Sequence, residues 1–132
     1  MRRMALSSCV SVLVLGLCVG QAISARADRG SVEVQVSPQT LLLGCDQGSW
    51  VTVHATIAYR DVDVASVALN GVPVAWAKAD NRGELVAEFD EDAIKSIVEP
   101  PSATLVLTGN TTDGEFFSGS DTVRVVDWPS PW

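Results

Sequence analysis

The chain has 132 residues, of which 47% are hydrophobic and 19% charged, and a formal net charge of −7. This length and composition are typical of one globular domain and exclude a disordered tail or a multi-domain enzyme. Acidic residues outnumber basic ones by 16 to 9, and no Lys/Arg cluster follows the first few residues, so the charge pattern of a nucleic-acid binder is missing.

The amino-terminal segment has the pattern of an export signal. Arg2 and Arg3 precede an apolar segment, and Ala25-Arg26-Ala27 places small residues at the two positions that a signal peptidase reads. The alternative is a membrane anchor, but the apolar stretch 10–20, in which Ser11 is the one hydroxyl residue, is short for a span of about 20 residues. We therefore predict that residues 1–27 are a signal peptide, that the mature chain is periplasmic or extracellular, and that it has no membrane span.

Cleavage after Ala27 changes the charge and the cysteine content. It removes three arginines and no acid, so the net charge goes from −7 to −10. It also removes Cys9 and Cys18, which leaves Cys45 as the only cysteine and precludes a disulfide within the chain. Because an exported thiol can pair between chains, we predict either a monomer or a dimer linked by an intermolecular disulfide at Cys45.

Apolar and polar residues alternate along most of the remaining chain, as in strands with one buried face. The alternation is clear over 32–36 and 51–59. Asn70-Gly71 predicts a tight hairpin turn, because both residues readily adopt positive φ. Trp76 follows this turn on the apolar phase, so we expect it in the core.

The second half continues the pattern with one helical interruption. Asp90 can cap a short helical turn over 91–98, where apolar residues fall at helical spacing. Gly119 is expected to mark a bulge or a close approach in the last strand. The other predicted elements are strands at 85–89, 103–107 and 117–125 and turns at 80–83 and 113–114.

Short strands at intervals of about ten residues indicate an all-β fold. We predict an antiparallel immunoglobulin-like sandwich of about seven strands with one short helical turn near 91–98, and a closed small barrel as the alternative. In this interpretation residues 28–127 form the sandwich domain, and residues 128–132 form a tail of Trp and Pro.

Four segments of the chain carry a resemblance to known proteins. They are Val-Ala-Leu-Asn-Gly at 67–71, Leu-Val-Ala-Glu-Phe-Asp at 85–90, Ala-Thr-Leu-Val-Leu-Thr-Gly at 103–109 and Asp-Gly-Glu-Phe-Phe-Ser-Gly-Ser-Asp-Thr-Val-Arg-Val at 113–125. These segments resemble a family of secreted bacterial and archaeal immunoglobulin-like modules, often found beside dockerin or other extracellular domains. Such modules typically end in Asp-Gly-x-x-Phe-x-Gly-Ser-Asp-Thr-Ile-Arg-Val, which the chain matches over 113–125 with Val123 in place of Ile. The resemblance implies an exported sandwich module and names no catalytic residue. Many relatives carry a calcium-loop-like segment where this chain has a turn at 80–83, and Arg82 puts a cation where a calcium ligand is expected.

Residues suited to catalysis or metal binding are sparse. His54, the only His, is predicted to lie on a strand face, and one Cys with one His falls short of the three or four ligands that zinc requires. We interpret Glu84 and Glu88 as solubilising charge on a strand face rather than as a glycosidase pair. The sequence therefore predicts no catalytic residue, no metal and no cofactor.

Tryptophan occurs four times, and exposed rings of this type anchor protein interfaces and stack on sugars. Trp50 opens a strand on its polar phase, and Trp128 and Trp132 flank prolines in the tail, so these three are the candidate ligand-binding residues. The tail either docks on the domain or presents its rings to a partner.

Two functions fit this pattern. The favoured one is an exported non-enzymatic module that acts as a structural, adhesive or protein-interaction unit, with a protein or a surface glycan as its partner. The alternative is a carbohydrate-binding module, for which exposed coplanar indoles are expected. A small exported enzyme or an enzyme inhibitor ranks third.

Overall fold

The computed structural model describes residues 28–127, so the predicted signal peptide and the tail with Trp128 and Trp132 lie outside the described residues. Within this range the chain forms ten strands, a five-residue helix and a 3-10 turn at Tyr59–Asp61. In chain order these are β1 (Asp28–Ser31), β2 (Val34–Ser37), β3 (Thr40–Leu42), β4 (Trp50–Ala58), β5 (Val62–Leu69), β6 (Val72–Pro73), β7 (Trp76–Ala79), β8 (Glu84–Asp90), α1 (Glu91–Lys95), β9 (Ser102–Thr111) and β10 (Phe116–Val126).

The strands form two sheets around one core. The first sheet has the order β1-β10-β9-β5-β6, with β3 also paired to β10, and the second has the order β2-β4-β8-β7. Neighbouring strands are antiparallel, except that β10 pairs in parallel with β1 and β3. These orders correspond to the GFCC′ and ABED sheets of an immunoglobulin sandwich. The predicted fold class is confirmed, and the strand number exceeds seven because several strands are only two to four residues long.

The amino-terminal segment contributes strands to both sheets. β1 and β3 pair with β10 in the first sheet, whereas β2 pairs with β4 in the second sheet. This arrangement brings the chain against Gly119, where any Cβ would overlap the carbonyl oxygen of Val32 and the side chain of Val34. The predicted close approach at Gly119 is therefore confirmed, and only glycine fits there without a shift of the backbone.

Local turn chemistry forms the predicted hairpins. Asn70 and Gly71 have φ values of 47° and 85°, as a tight hairpin turn requires. At the next turn, Asp80 Oδ1 accepts the backbone N–H groups of Arg82 at 2.8 Å and Glu84 at 3.0 Å. These hydrogen bonds lower the pKa of Asp80, and they account for the Asp80 side chain as part of the turn.

Strand β8 is buried on both of its sides, unlike the other strands of its sheet. Leu85, Ala87 and Phe89 face the core between the sheets. The intervening residues Val86 and Glu88 lie on the outer side of the sheet and are only 2% and 7% exposed. Side chains from the neighbouring strands must therefore cover the outer side of β8.

Candidate binding face around Trp50 and Trp76

Two tryptophans lie on the outer side of the second sheet. Trp50 is the first residue of β4 and is 40% exposed, as its place on the polar phase predicts. Trp76 is the first residue of β7 and is 41% exposed. Both are large apolar side chains that the fold leaves half in solvent.

The prediction that Trp76 lies in the core is wrong, because the segment after the hairpin turn is not one strand. The chain pairs with β5 through Val72 and Pro73 and then crosses to the other sheet before Trp76. The alternation of inward and outward residues is broken at the crossing, and Ala77 packs against the core in place of Trp76. Pro73 was the available signal, because proline inside an apparent strand indicates an edge or a break.

The two indole rings contact each other above β8. Their centroids are 6.3 Å apart and their planes meet at 87°, an edge-to-face arrangement. Since β8 separates the strands of Trp50 and Trp76, the rings can meet only over this central strand. Lys78 lies on the same side, with its Nζ 5.6 Å from the centroid of the Trp76 ring, which is within the range of a cation–π contact.

Glu88 lies on the same outer side of the sheet as the two rings. It pairs in register with Thr52 on β4 and with Trp76 on β7. The Thr52 hydroxyl donates a hydrogen bond of 2.7 Å to Glu88 Oε1. Across residues 28–127, no protein group donates a hydrogen bond to Oε2 and no cationic side chain forms an ion pair with Glu88.

The interpretation of Glu88 as solubilising charge is therefore wrong, whereas Glu84 fits it. Glu84 has a partly exposed side chain that pairs with Arg82 at 3.7 Å. Glu88 is buried on the outer side of its sheet, where Thr52 and Trp76 of the neighbouring strands flank it in register, and no pattern local to β8 shows this. We refer to Trp50, Thr52, Trp76, Lys78 and Glu88 as the Trp face.

A second polar cluster joins the 43–49 loop to α1. Glu91 is 3% exposed, and both of its oxygens accept hydrogen bonds: Oε1 from the Ser49 N–H at 2.7 Å and Oε2 from the Gln47 N–H at 2.8 Å. Lys95 forms an ion pair with Glu91 and donates to the Cys45 carbonyl oxygen at 2.6 Å. We call Gln47, Ser49, Glu91 and Lys95 the loop latch, because they tie the loop to the helix.

Asp46 and Asp90 stabilise the backbone on either side of the loop latch. Asp46 Oδ1 accepts the N–H groups of Gly48 at 2.9 Å and Ser49 at 3.0 Å, and these hydrogen bonds lower the pKa of Asp46. Asp90 Oδ2 accepts the Ala93 N–H at 3.0 Å, so the predicted helix cap is confirmed. The loop and the helix line a pocket of about 400 Å³.

The structure does not bring Cys45 and His54 together. Cys45 is a half-buried free thiol in the pocket beside α1. His54 is exposed on the outer face of β4, as predicted, and lines a separate groove of about 800 Å³ that includes Asp80 and Arg82. Pairing of Cys45 between chains stays a prediction, and so do ligand contacts of Trp128 and Trp132, which are outside the described range.

Two further observations concern residues 28–127. No three or more His, Cys, Asp or Glu side chains of this range converge as a metal site would require. None of its helices is long and apolar enough to cross a membrane.

Comparison with protein-family models, curated proteins and solved structures found no match for the chain.

Proposed function

We propose that the chain is an exported, non-enzymatic β-sandwich module that binds a partner protein through the Trp face. The observation that carries this proposal is the contact between two tryptophans that are each about 40% exposed on one sheet face. Trp is enriched among the residues that dominate binding energy at interfaces. The exposed halves of the two rings add nothing to the packing of the sandwich, and they leave an apolar surface that a partner can cover.

Export is supported by the amino-terminal pattern and by the resemblance to secreted immunoglobulin-like modules. The cationic start, the apolar segment and the Ala25-Arg26-Ala27 site are features of a signal peptide. On this proposal the module works in the periplasm or outside the cell. Its mature form begins at Asp28, which is also where β1 begins.

The geometry of the rings favours a protein over a glycan. A sugar ring stacks on a flat platform, and two indoles form one platform only when they are nearly coplanar. The planes of Trp50 and Trp76 meet at 87°, so they form a corner instead. The carbohydrate-binding alternative is supported only by the exposure of the rings on one face.

A comparison of three forms of the immobilised chain tests the proposal. The forms are the wild type, the double variant Trp50→Ala/Trp76→Ala, and the matched control Ile97→Ala/Val106→Ala, which shortens exposed apolar side chains elsewhere. Each is incubated with the extracellular fraction of the source organism and, separately, with a polysaccharide panel. Thermal melts establish that all three are folded.

We expect the wild type and the control to retain a protein that the Trp variant loses. If all three forms retain the same proteins, the Trp face is not the binding surface and the proposal fails. Loss of polysaccharide binding in the Trp variant, with no Trp-dependent protein, would instead establish the carbohydrate-binding alternative.

A further inference from the structure

The rings of the Trp face form two walls of a corner. Because Trp50 and Trp76 meet edge to face, a group placed beside their contact touches the face of each ring. Indole faces carry the negative part of the ring quadrupole and attract cations within about 6 Å of the centroid. Lys78 Nζ already lies at 5.6 Å from the Trp76 centroid, which indicates that this surface accepts a positive charge.

A carboxylate whose hydrogen bonds are incomplete lies beside the corner, since Glu88 pairs in register with Trp76. Glu88 is 7% exposed, and Thr52 supplies a donor to Oε1 alone. Lys78 lies on the same face, yet it forms no ion pair with Glu88 within 4 Å. A buried carboxylate without a cation or a full set of donors is unfavourable. A ligand that brings both a charge and an N–H donor relieves this cost.

The charge around the corner also favours a cation. Asp90 is exposed and pairs in register with Trp50, and Asp92 is exposed on the adjoining turn of α1. Lys78 is the only Lys or Arg of β4, β7 and β8, the three strands that carry the face, and His54 on β4 is the other basic side chain there. Residues 28–127 as a whole carry a net charge of −10, because the three arginines before Asp28 are not part of them.

We infer that the Trp face binds a cationic side chain of the partner protein and that arginine is the side chain it fits best. This inference rests on the proposed function and names the chemistry of the partner. A guanidinium is planar, so it stacks on one indole while its N–H edge points at a carboxylate. A quaternary ammonium offers charge without an N–H donor and leaves Glu88 Oε2 unpaired.

Nuclear magnetic resonance of the ¹⁵N-labelled mature chain tests the inference, with the indole N–H signals of Trp50 and Trp76 as reporters. The probe is a capped hexa-arginine peptide. Hexa-citrulline, which has nearly the same shape without the charge, and tetramethylammonium chloride, which has charge without a donor, are the comparison probes. Glu88→Gln is the test variant, and Glu99→Gln, at an exposed position, removes the same charge elsewhere.

We expect hexa-arginine to shift both indole signals and the two comparison probes to shift them much less. Glu88→Gln is expected to weaken hexa-arginine binding by about tenfold, as loss of a hydrogen bond to a charged group does, while Glu99→Gln changes it less than twofold. Lys78→Met removes the competing cation and is expected to strengthen binding severalfold. This variant gives an independent test if Glu88→Gln is poorly folded.

Equal binding by Glu88→Gln and Glu99→Gln, or equal shifts with hexa-citrulline, would overturn the inference. If a Trp-dependent partner is still captured in that case, the proposed function stands and only the arginine assignment fails. If the double Trp variant also keeps every partner, both fail. Weaker binding by Lys78→Met would likewise contradict the proposal, because it would make Lys78 part of the contact rather than a competitor.

Discussion

Glu88 and Glu91 lie three residues apart and are both buried, but the chain satisfies them to different extents. Both oxygens of Glu91 accept backbone N–H groups from the 43–49 loop, and Lys95 neutralises its charge. Glu88 has one hydrogen bond, from the Thr52 hydroxyl, and no ion pair within the described residues. The described residues therefore supply hydrogen-bond donors to both oxygens of Glu91, but to only one oxygen of Glu88.

The difference separates a structural acid from a binding acid. Burial of a charge costs several kcal/mol unless partners compensate it. Glu91 has those partners, so it holds the loop latch together. Glu88 lacks them, and a group that lowers stability without a partner is typical of sites kept for a ligand. Burial alone does not distinguish these roles, whereas the count of donors does.

The largest effect is expected at the loop latch. Glu91→Ala leaves Lys95 buried without its carboxylate and removes the acceptor of two backbone N–H groups. We expect the free energy of unfolding to fall by about 3–5 kcal/mol, as when one partner of a buried ion pair is removed. Urea unfolding followed by tryptophan fluorescence measures this change.

Asp92→Ala is the matched control for the loop latch, since Asp92 is the exposed neighbour on the same helix turn. It should change the free energy of unfolding by less than about 0.5 kcal/mol. If Glu91→Ala is as mild as the control, the latch does not stabilise the fold and the contrast with Glu88 disappears.

Asp121 is a third acid for this comparison. It lies on β10 in the first sheet and accepts a hydrogen bond from β2 of the second sheet. Its Oδ2 accepts the Val36 N–H at 2.9 Å and the Gln39 side-chain amide at 2.8 Å. The hydrogen bond from Val36 is the main cause that lowers the pKa of Asp121 below its ordinary value of 3.8. A folded-state pKa below the unfolded-state value stabilises the fold above about pH 4 and loses its effect as the pH falls through the folded-state pKa.

We therefore expect Asp121→Asn to lower the free energy of unfolding by about 1–2 kcal/mol at pH 7, because a charged acceptor becomes neutral. The difference from the wild type should shrink as the pH falls through the folded-state pKa of Asp121, because the wild-type carboxyl then becomes protonated as well. Urea titrations at several pH values measure it. A difference independent of pH would show that shape rather than charge is responsible.

A smaller effect is expected on the Trp face itself. Trp50→Ala and Trp76→Ala should each lower the free energy of unfolding by about 1 kcal/mol, and their double-mutant cycle should give a coupling of about 0.5–1.5 kcal/mol. Loss of either ring lets water reach Glu88, which offsets part of the lost packing. Coupling near zero would mean that the rings do not pair in solution.

Features that depend only on residues close together along the chain can be predicted from the sequence. The turn at Asn70-Gly71 and the Asp90 cap are local, and the structure confirms both. The alternation predicted over 51–59 is also local, and it is confirmed as far as Ala58, where β4 ends and the 3-10 turn begins with Tyr59. The exposure of Trp76 and the burial of Glu88 depend on which strands lie side by side. That register joins residues far apart in sequence, so alternation along one strand cannot show it.

The loop latch is an intermediate case. Glu91 and Lys95 stand four residues apart, a spacing that predicts an ion pair on a helix face. The sequence does not show that this pair is buried under the 43–49 loop. The burial depends on the backbone N–H groups of Gln47 and Ser49, which lie more than forty residues earlier in the chain. Sequence patterns therefore indicate the pair, and only the fold shows that it is structural.

The most direct test of the contrast is the free energy of unfolding of Glu88→Met, measured beside the wild type. Met is apolar and similar in length, so it fills the space of the Glu88 side chain without a buried charge. We expect the variant to be at least as stable as the wild type, as when a poorly compensated buried charge is replaced by an apolar group. A loss of more than about 2 kcal/mol, approaching that expected for Glu91→Ala, would contradict the account, because it would make Glu88 a structural acid.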